Sequence, residues 1–171
     1  MEGYQKITLF ALRIALGWLF FYAGISKLFN PTWTSEGYLR GAKTLASFYA
    51  WLAQPGILPF IDFAWLAQPG ILPFIDFVNE WGLTLLGISL ILGLFVGISS
   101  RLGAFLMLLY YFPVLEFPYV AHGFIVDDHI IYALALLYLA SVRAGRTWGF
   151  DEWCTKLPLC QRYPALRQFF G

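Results

Sequence analysis

The sequence predicts an all-α integral membrane protein: a bundle of four transmembrane helices with an interfacial helical loop between the first two. Composition, chain length and the clustering of apolar residues carry that prediction. Of 171 residues, 60% are hydrophobic and 12% charged, and the mean hydropathy is +0.68; soluble domains run near half apolar and a quarter charged. A chain this short still exposes much of its surface when folded, so it cannot hide that excess from water. The apolar residues gather into segments near the roughly 20 residues needed to cross a bilayer core. A lipid bilayer is therefore the expected partner. The net charge of +1 gives no reason to expect nucleic acid.

The first span is expected at residues 7–29, stopped by Asn30-Pro31, and contains Arg13 and Lys27. Its length, about 34 Å, exceeds a core of about 30 Å. The stretch is too long for a signal peptide, and no small-residue cleavage pattern follows it. Residues 30–77 mix Trp, Tyr and Phe with Pro, Gly and scattered charges. Within them, 35–52 reads as an amphipathic helix with Tyr38, Ala42, Leu45 and Tyr49 on one side, lying at the interface where aromatics are enriched.

The same loop holds an exact tandem repeat, AWLAQPGILPFIDF at 50–63 and again at 64–77. The period is not that of a solenoid, which needs several imperfect copies. A recent in-frame duplication, an engineered insertion or a sequence-assembly error would each produce it. One copy is expected to suffice for the core, with the other bulging at the surface, because lengthening a loop costs little. Pro55, Pro59, Pro69 and Pro73 argue against one continuous helix there.

The second span is placed at 78–98, with Glu80 near its start and Gly82, Gly87, Gly93 and Gly97 offering small surfaces for close packing. Ser99-Ser100-Arg101 reads as a short turn. The third span, 102–119, contains Glu116 and is expected to kink at Pro113 and Pro118; the fourth is 124–142, closed by Arg143 and Arg146. Residues 1–153 thus form the membrane domain and 154–171 a tail. Lys6, Arg101, Arg143, Arg146, Lys156, Arg162 and Arg167 share one side, against Lys27, Arg40 and Lys43 on the other. The positive-inside rule puts both termini in the cytoplasm of a multi-pass cell-membrane protein.

Depth singles out the candidate chemistry. The stretch 130–142 rises only about 20 Å, so Asp127, Asp128 and His129 are expected to enter the outer part of the membrane or face a cavity there. Ionisable groups at such depth are costly and are usually paired. Capping of the fourth helix by these aspartates is the plainer alternative. Glu116 lies about 21 Å along its helix from Leu102, at the same depth. With Lys27 and Glu80 it completes a polar cluster. That cluster reads either as a structural ion-pair network or as a site where carboxylate and imidazole exchange protons with a redox ligand. Arg13, about 9 Å into its helix, is explained by snorkelling to the interface, against a buried pairing or ligand role. His122 and His129 lack any haem motif, and no metal or haem is expected. Cys154 and Cys160 do not form a CxxC pair and read as free thiols.

DDHIIYALALLYLASVRAGRTWGFDEW at 127–153 resembles the closing segment of the DoxD branch of the DoxX-like membrane proteins. LRIALGWLFFYAGISKL at 12–28 is similar to the opening helix of that family, and WTSEGYLRGAKTLASFYAWLA at 33–53 to its first loop. The resemblance covers roughly residues 8–155, with the extra 14-residue unit as the main departure. It implies a four-helix membrane subunit of a sulfur-oxidising respiratory system, passing electrons from thiosulfate to a membrane quinone beside a second small subunit. In that reading Asp128, His129 and Glu116 exchange protons with the quinone, Arg40 and Lys43 attract the sulfur anion, and Arg13, Lys27, Glu80 and Asp127 help bind. The alternative is a noncatalytic accessory subunit of a larger respiratory complex.

Overall fold

The computed structural model describes residues 3–54, 72–117, 119–120 and 124–156. Among them the regular structure is helical, apart from an isolated bridge between Glu116 and Tyr119. Helix α1 (Gly3–Leu28), α4 (Leu72–Leu92) and α5 (Val96–Val114) are each long and apolar enough to cross a membrane. Helix α6 (Asp128–Ser141) is apolar but has 14 residues, a rise of about 21 Å. The four helices share one buried core that includes Phe20, Leu86, Leu90, Met107, Leu136 and Leu139.

Outward faces are apolar too. Trp18, Tyr22, Leu85, Leu102, Phe105 and Leu134 are all more than half exposed. Water tolerates single exposed hydrophobics, not faces of them; hydrocarbon accepts them. Glycine permits the closest contact between α1 and α4. A Cβ on Gly87 would collide with the backbone of Phe21, and one on Gly24 with that of Thr84. Small residues let membrane helices approach until dispersion forces hold them.

The helix boundaries differ from the expected ones. Helix α4 begins six residues before Val78, inside the second repeat copy, and the connection to α5 falls at Gly93–Phe95 rather than at Ser99–Arg101, which are helical. Two things set that turn. Gly93 (φ +67°) and Phe95 (φ 57°) are left-handed, a conformation that costs glycine little. The carboxylate of Asp151, 55 or more residues away, accepts hydrogen bonds from the N–H groups of Phe95 (2.7 Å) and Val96 (3.1 Å). It therefore caps the start of α5 as a local Ser or Asp ordinarily would.

The expected interfacial helix over 35–52 is two short ones, α2 (Glu36–Arg40) and α3 (Ala46–Leu52). Between them Lys43 N–H donates to the Pro113 carbonyl (2.9 Å), and Thr44 Oγ1 to that of Leu115. These bonds satisfy carbonyls at the end of α5 that no helical partner reaches. Leu39, Ala42, Tyr49, Ala53 and Leu72 bury a small second core; Leu45 is exposed and left-handed instead. Residues 50–54 and 72–77 of the repeat are described, whereas 55–71, Pro118, His122 and Cys160 lie outside the described residues.

Past α6 the chain makes a 3-10 turn (Ala144–Arg146) and a final helix, α7 (Phe150–Lys156). Arg13 does not snorkel. It is fully buried and donates to the carbonyls of Ala144 (2.7 Å), Thr147 (2.9 Å) and Trp148 (3.1 Å). Its guanidinium lies over the Phe10 ring, 5.2 Å from the ring centre, and Asp151 is near enough for their charges to interact.

Candidate functional site

At the end of the helices far from Arg13, the last three turns of α1, the segment 33–38, the first half of α4, the second half of α5 and the first turns of α6 line a cavity of about 370 Å³. That volume lies within the range of small-molecule sites. Its walls are mostly apolar and aromatic, with a few polar groups converging on them.

Lys27 supplies the cation. Its Nζ donates to Asn79 Oδ1 (2.5 Å), a residue only 7% exposed. The ammonium lies 4.6 Å from the centre of the Trp33 ring and 5.9 Å from that of Tyr110, so two ring faces hold it by cation–π attraction. Glu80 and Asp76 are close enough to act on its charge. Asp76 also accepts from Thr34 Oγ1 (2.8 Å), Ser35 N–H (2.8 Å) and Ser35 Oγ (2.5 Å). These bonds pin the segment that carries Trp33 over the cavity.

His129 faces the cavity from α6. Its Nδ1 lies 2.7 Å from Asp127 Oδ2, while Asp127 Oδ1 accepts the Ile130 N–H (3.2 Å). One carboxylate thus caps the helix and orients the imidazole, so capping and functional readings of Asp127 describe one residue. An imidazole held at one nitrogen is positioned to use the other. The ring packs edge-on against Tyr110, 5.9 Å between centres. The Tyr110 hydroxyl is buried beside Asn79 without a hydrogen bond of good geometry. Tyr38 donates to the Tyr110 carbonyl. Burial and the charge of Asp127 push the Tyr38 hydroxyl well above its ordinary pKa.

Of the candidate residues, Lys27 and His129 line this cavity, Asp127 bonds His129, and Glu80 is half-buried within charge range of Lys27. The others do not line it. Asp128 is exposed beside the cap, and Glu116 is exposed in the turn that ends α5, where its backbone exchanges hydrogen bonds with Tyr119 (2.8 and 2.7 Å). Arg40 is exposed and pairs with Glu36 (2.7 Å), and Lys43 is exposed. Arg13 is at the opposite end. Asn79, Asp76, Tyr38, Tyr110 and Trp33 were missed. Asp76, Asn79 and Glu80 stand three or four residues apart on one helix, a spacing that puts them on a common face and was legible. Nothing in the sequence marks Tyr110. Among the described residues no three His, Cys, Asp or Glu side chains converge as metal ligands would.

A protein-family model described as DoxX matches residues 8–116, more than half of the chain. No curated protein and no solved structure matches it.

Proposed function

The chain belongs to the DoxX family of membrane proteins, and on that premise we propose that it is the membrane subunit of a respiratory redox system that binds a quinone ring between Lys27 and His129. One observation carries the reading: a caged ammonium and an aspartate-oriented imidazole both pack against Tyr110 and line the same largely apolar, aromatic cavity at one end of the apolar helices. A quinone ring is flat, apolar on its faces and accepts hydrogen bonds at both carbonyl oxygens. Lys27 and Asn79 would donate to one oxygen. His129, tied to Asp127 at Nδ1 and 29% exposed, would hand a proton to the other and be reprotonated before the next turnover.

The DoxD resemblance suggests thiosulfate as the electron source. Two thiosulfates joined through a new S–S bond give tetrathionate and two electrons; the quinone takes these with two protons and leaves as quinol. The acidic residues around Lys27 favour the neutral partner in this cavity, so the sulfur anion would be received elsewhere, with a second small subunit as the natural place. Four membrane helices with both termini in the cytoplasm complete the proposal; Arg101, in the second turn of α5, keeps its place on the N-terminal side.

In lipid nanodiscs the chain should bind a tail-free benzoquinone, and Lys27→Met or His129→Ala should each weaken binding or thiosulfate-driven reduction about tenfold or more, while Asp128→Asn stays near wild type. Unchanged affinity in both cavity variants would overturn the site. Stable co-purification with oxidase subunits and no quinone binding would leave the accessory reading instead.

A further inference from the structure

A second cavity, of about 310 Å³, lies directly against the first. The two share Ser35, Tyr38, Asn79 and Tyr110, which form a common wall. Tyr38 and Tyr110 hold that wall, edge to face at 6.2 Å between ring centres, with the Tyr38 hydroxyl donating to the Tyr110 carbonyl. Beyond the wall the character changes. The lining that belongs to the second cavity alone is almost wholly apolar and includes Leu39, Phe48 and Leu52 from the α2–α3 cap and Val78, Leu106 and Leu109 from the membrane helices. Three of its lining residues, Phe48, Val78 and Leu109, are 51%, 38% and 42% exposed, so apolar side chains run from the chamber to the outer surface.

We infer that this chamber holds the hydrocarbon tail of the same quinone, and that the molecule enters sideways from the lipid between the interfacial cap and α4–α5. The inference rests on the ring site proposed above. Its support is the abrupt division of polarity at a shared wall. Apart from the Tyr49 hydroxyl, every side chain that can bond a carbonyl oxygen is on the ring side or in the wall, and an otherwise apolar chamber adjoins it. An amphiphile with a polar ring and an isoprenoid tail matches that division; a soluble anion matches neither half. Left empty, the chamber would forfeit dispersion contacts along its whole lining. The tail gains little by leaving lipid, because lipid is equally apolar. The chamber therefore acts by shape: filling it should expel the tail and leave the ring site intact.

The test compares a tail-free benzoquinone with its homologue bearing two isoprene units, in phosphatidylcholine nanodiscs. Leu109→Trp, or Val78→Phe should the first variant fold poorly, is expected to weaken the tailed quinone about tenfold, a typical cost of overpacking. The tail-free ring should change less than twofold. A diazirine at the end of a short tail should label peptides containing Leu106–Pro113 or Phe48–Leu52. If the tail-free ring binds but the variants affect both quinones equally or neither, the tail chamber is wrong and the ring site stands. Labelling confined to other helix faces, or a photoreactive phospholipid labelling the chamber undiminished by excess tailed quinone, likewise overturns it. Should the tail-free ring not bind the unmodified protein, both proposals fall.

Discussion

Asp127 shows how much one side chain can do at the start of a helix. Its two oxygens have separate partners, the Ile130 N–H and the His129 ring, and substitutions can divide the tasks. Asn is as good an N-cap as Asp but brings no charge to the imidazole. Asp127→Asn should leave the thermal midpoint within a degree or two and slow quinone reduction. Asp127→Ala should slow quinone reduction and also lower the thermal midpoint, with a cap cost of about 1 kcal/mol. A thermal midpoint equal in the two variants, read in the same detergent, would show that the capping bond contributes nothing. The depth argument pointed to His129, and a place near the outer end of its helix to Lys27, because a charge within an apolar segment needs a reason. The same argument pointed to Asp128 and Glu116, which are exposed and do not line the cavity. Along a helix each residue turns by about 100°, so neighbours at one depth face different ways. Asp128 and His129 are adjacent in sequence and diverge for this reason.

Helix ends are where the sequence misled most. Ser99-Ser100-Arg101 looks like a turn because its residues are polar, yet α5 runs through it. The true turn is capped by Asp151 and closed by a bond from Asp151 N–H to the Gly93 carbonyl (2.9 Å). No window of local sequence contains both partners. The same segment gives Arg13 its three carbonyls. Arg13 and Asp151 thus tie α1, the α4–α5 turn and the segment after α6 into one joint. Arg13→Ala would strand those carbonyls and is expected to cost about 3 kcal/mol, each hydrogen bond to a charge being worth about 1.5–3 kcal/mol before overlap. Arg13→Lys should rescue little, since a single ammonium does not reproduce the planar fork. Asp151→Ala should cost about 1–2 kcal/mol as a lost cap. Because the joint lies at the end opposite the cavity, both variants should keep quinone affinity in whatever fraction stays folded. A changed affinity at full folding would mean the two ends communicate.

For the whole molecule, the repeat offers a direct test. The described fold takes residues 50–54 from the first copy and 72–77 from the second, together most of one unit. Because the copies are identical, removing 50–63, 64–77 or any 14-residue window between them yields the same protein. Three residues would then join the equivalents of Gln54 and Leu72, spanning at most about 14 Å. Ala53 and Leu72 already share a buried cluster, so the ends are close enough. Asp62 would take the place of Asp76 and its bonds to Thr34 and Ser35. The shortened chain should insert, keep its thermal midpoint within a few degrees and bind quinone as before. Loss of the folded protein would assign the extra unit a structural task.

Hydropathy by itself determined that this chain is a membrane protein and roughly where its long helices run, because burial in hydrocarbon acts on residue type alone. Only the tertiary structure decided which ionisable groups meet, that Arg13 and Asp151 form a joint, and that Asn79, Tyr110 and Tyr38 complete the cavity. Those are questions of azimuth and of contacts between segments as much as 135 residues apart. Helical rise along one segment fixes depth without fixing what stands opposite.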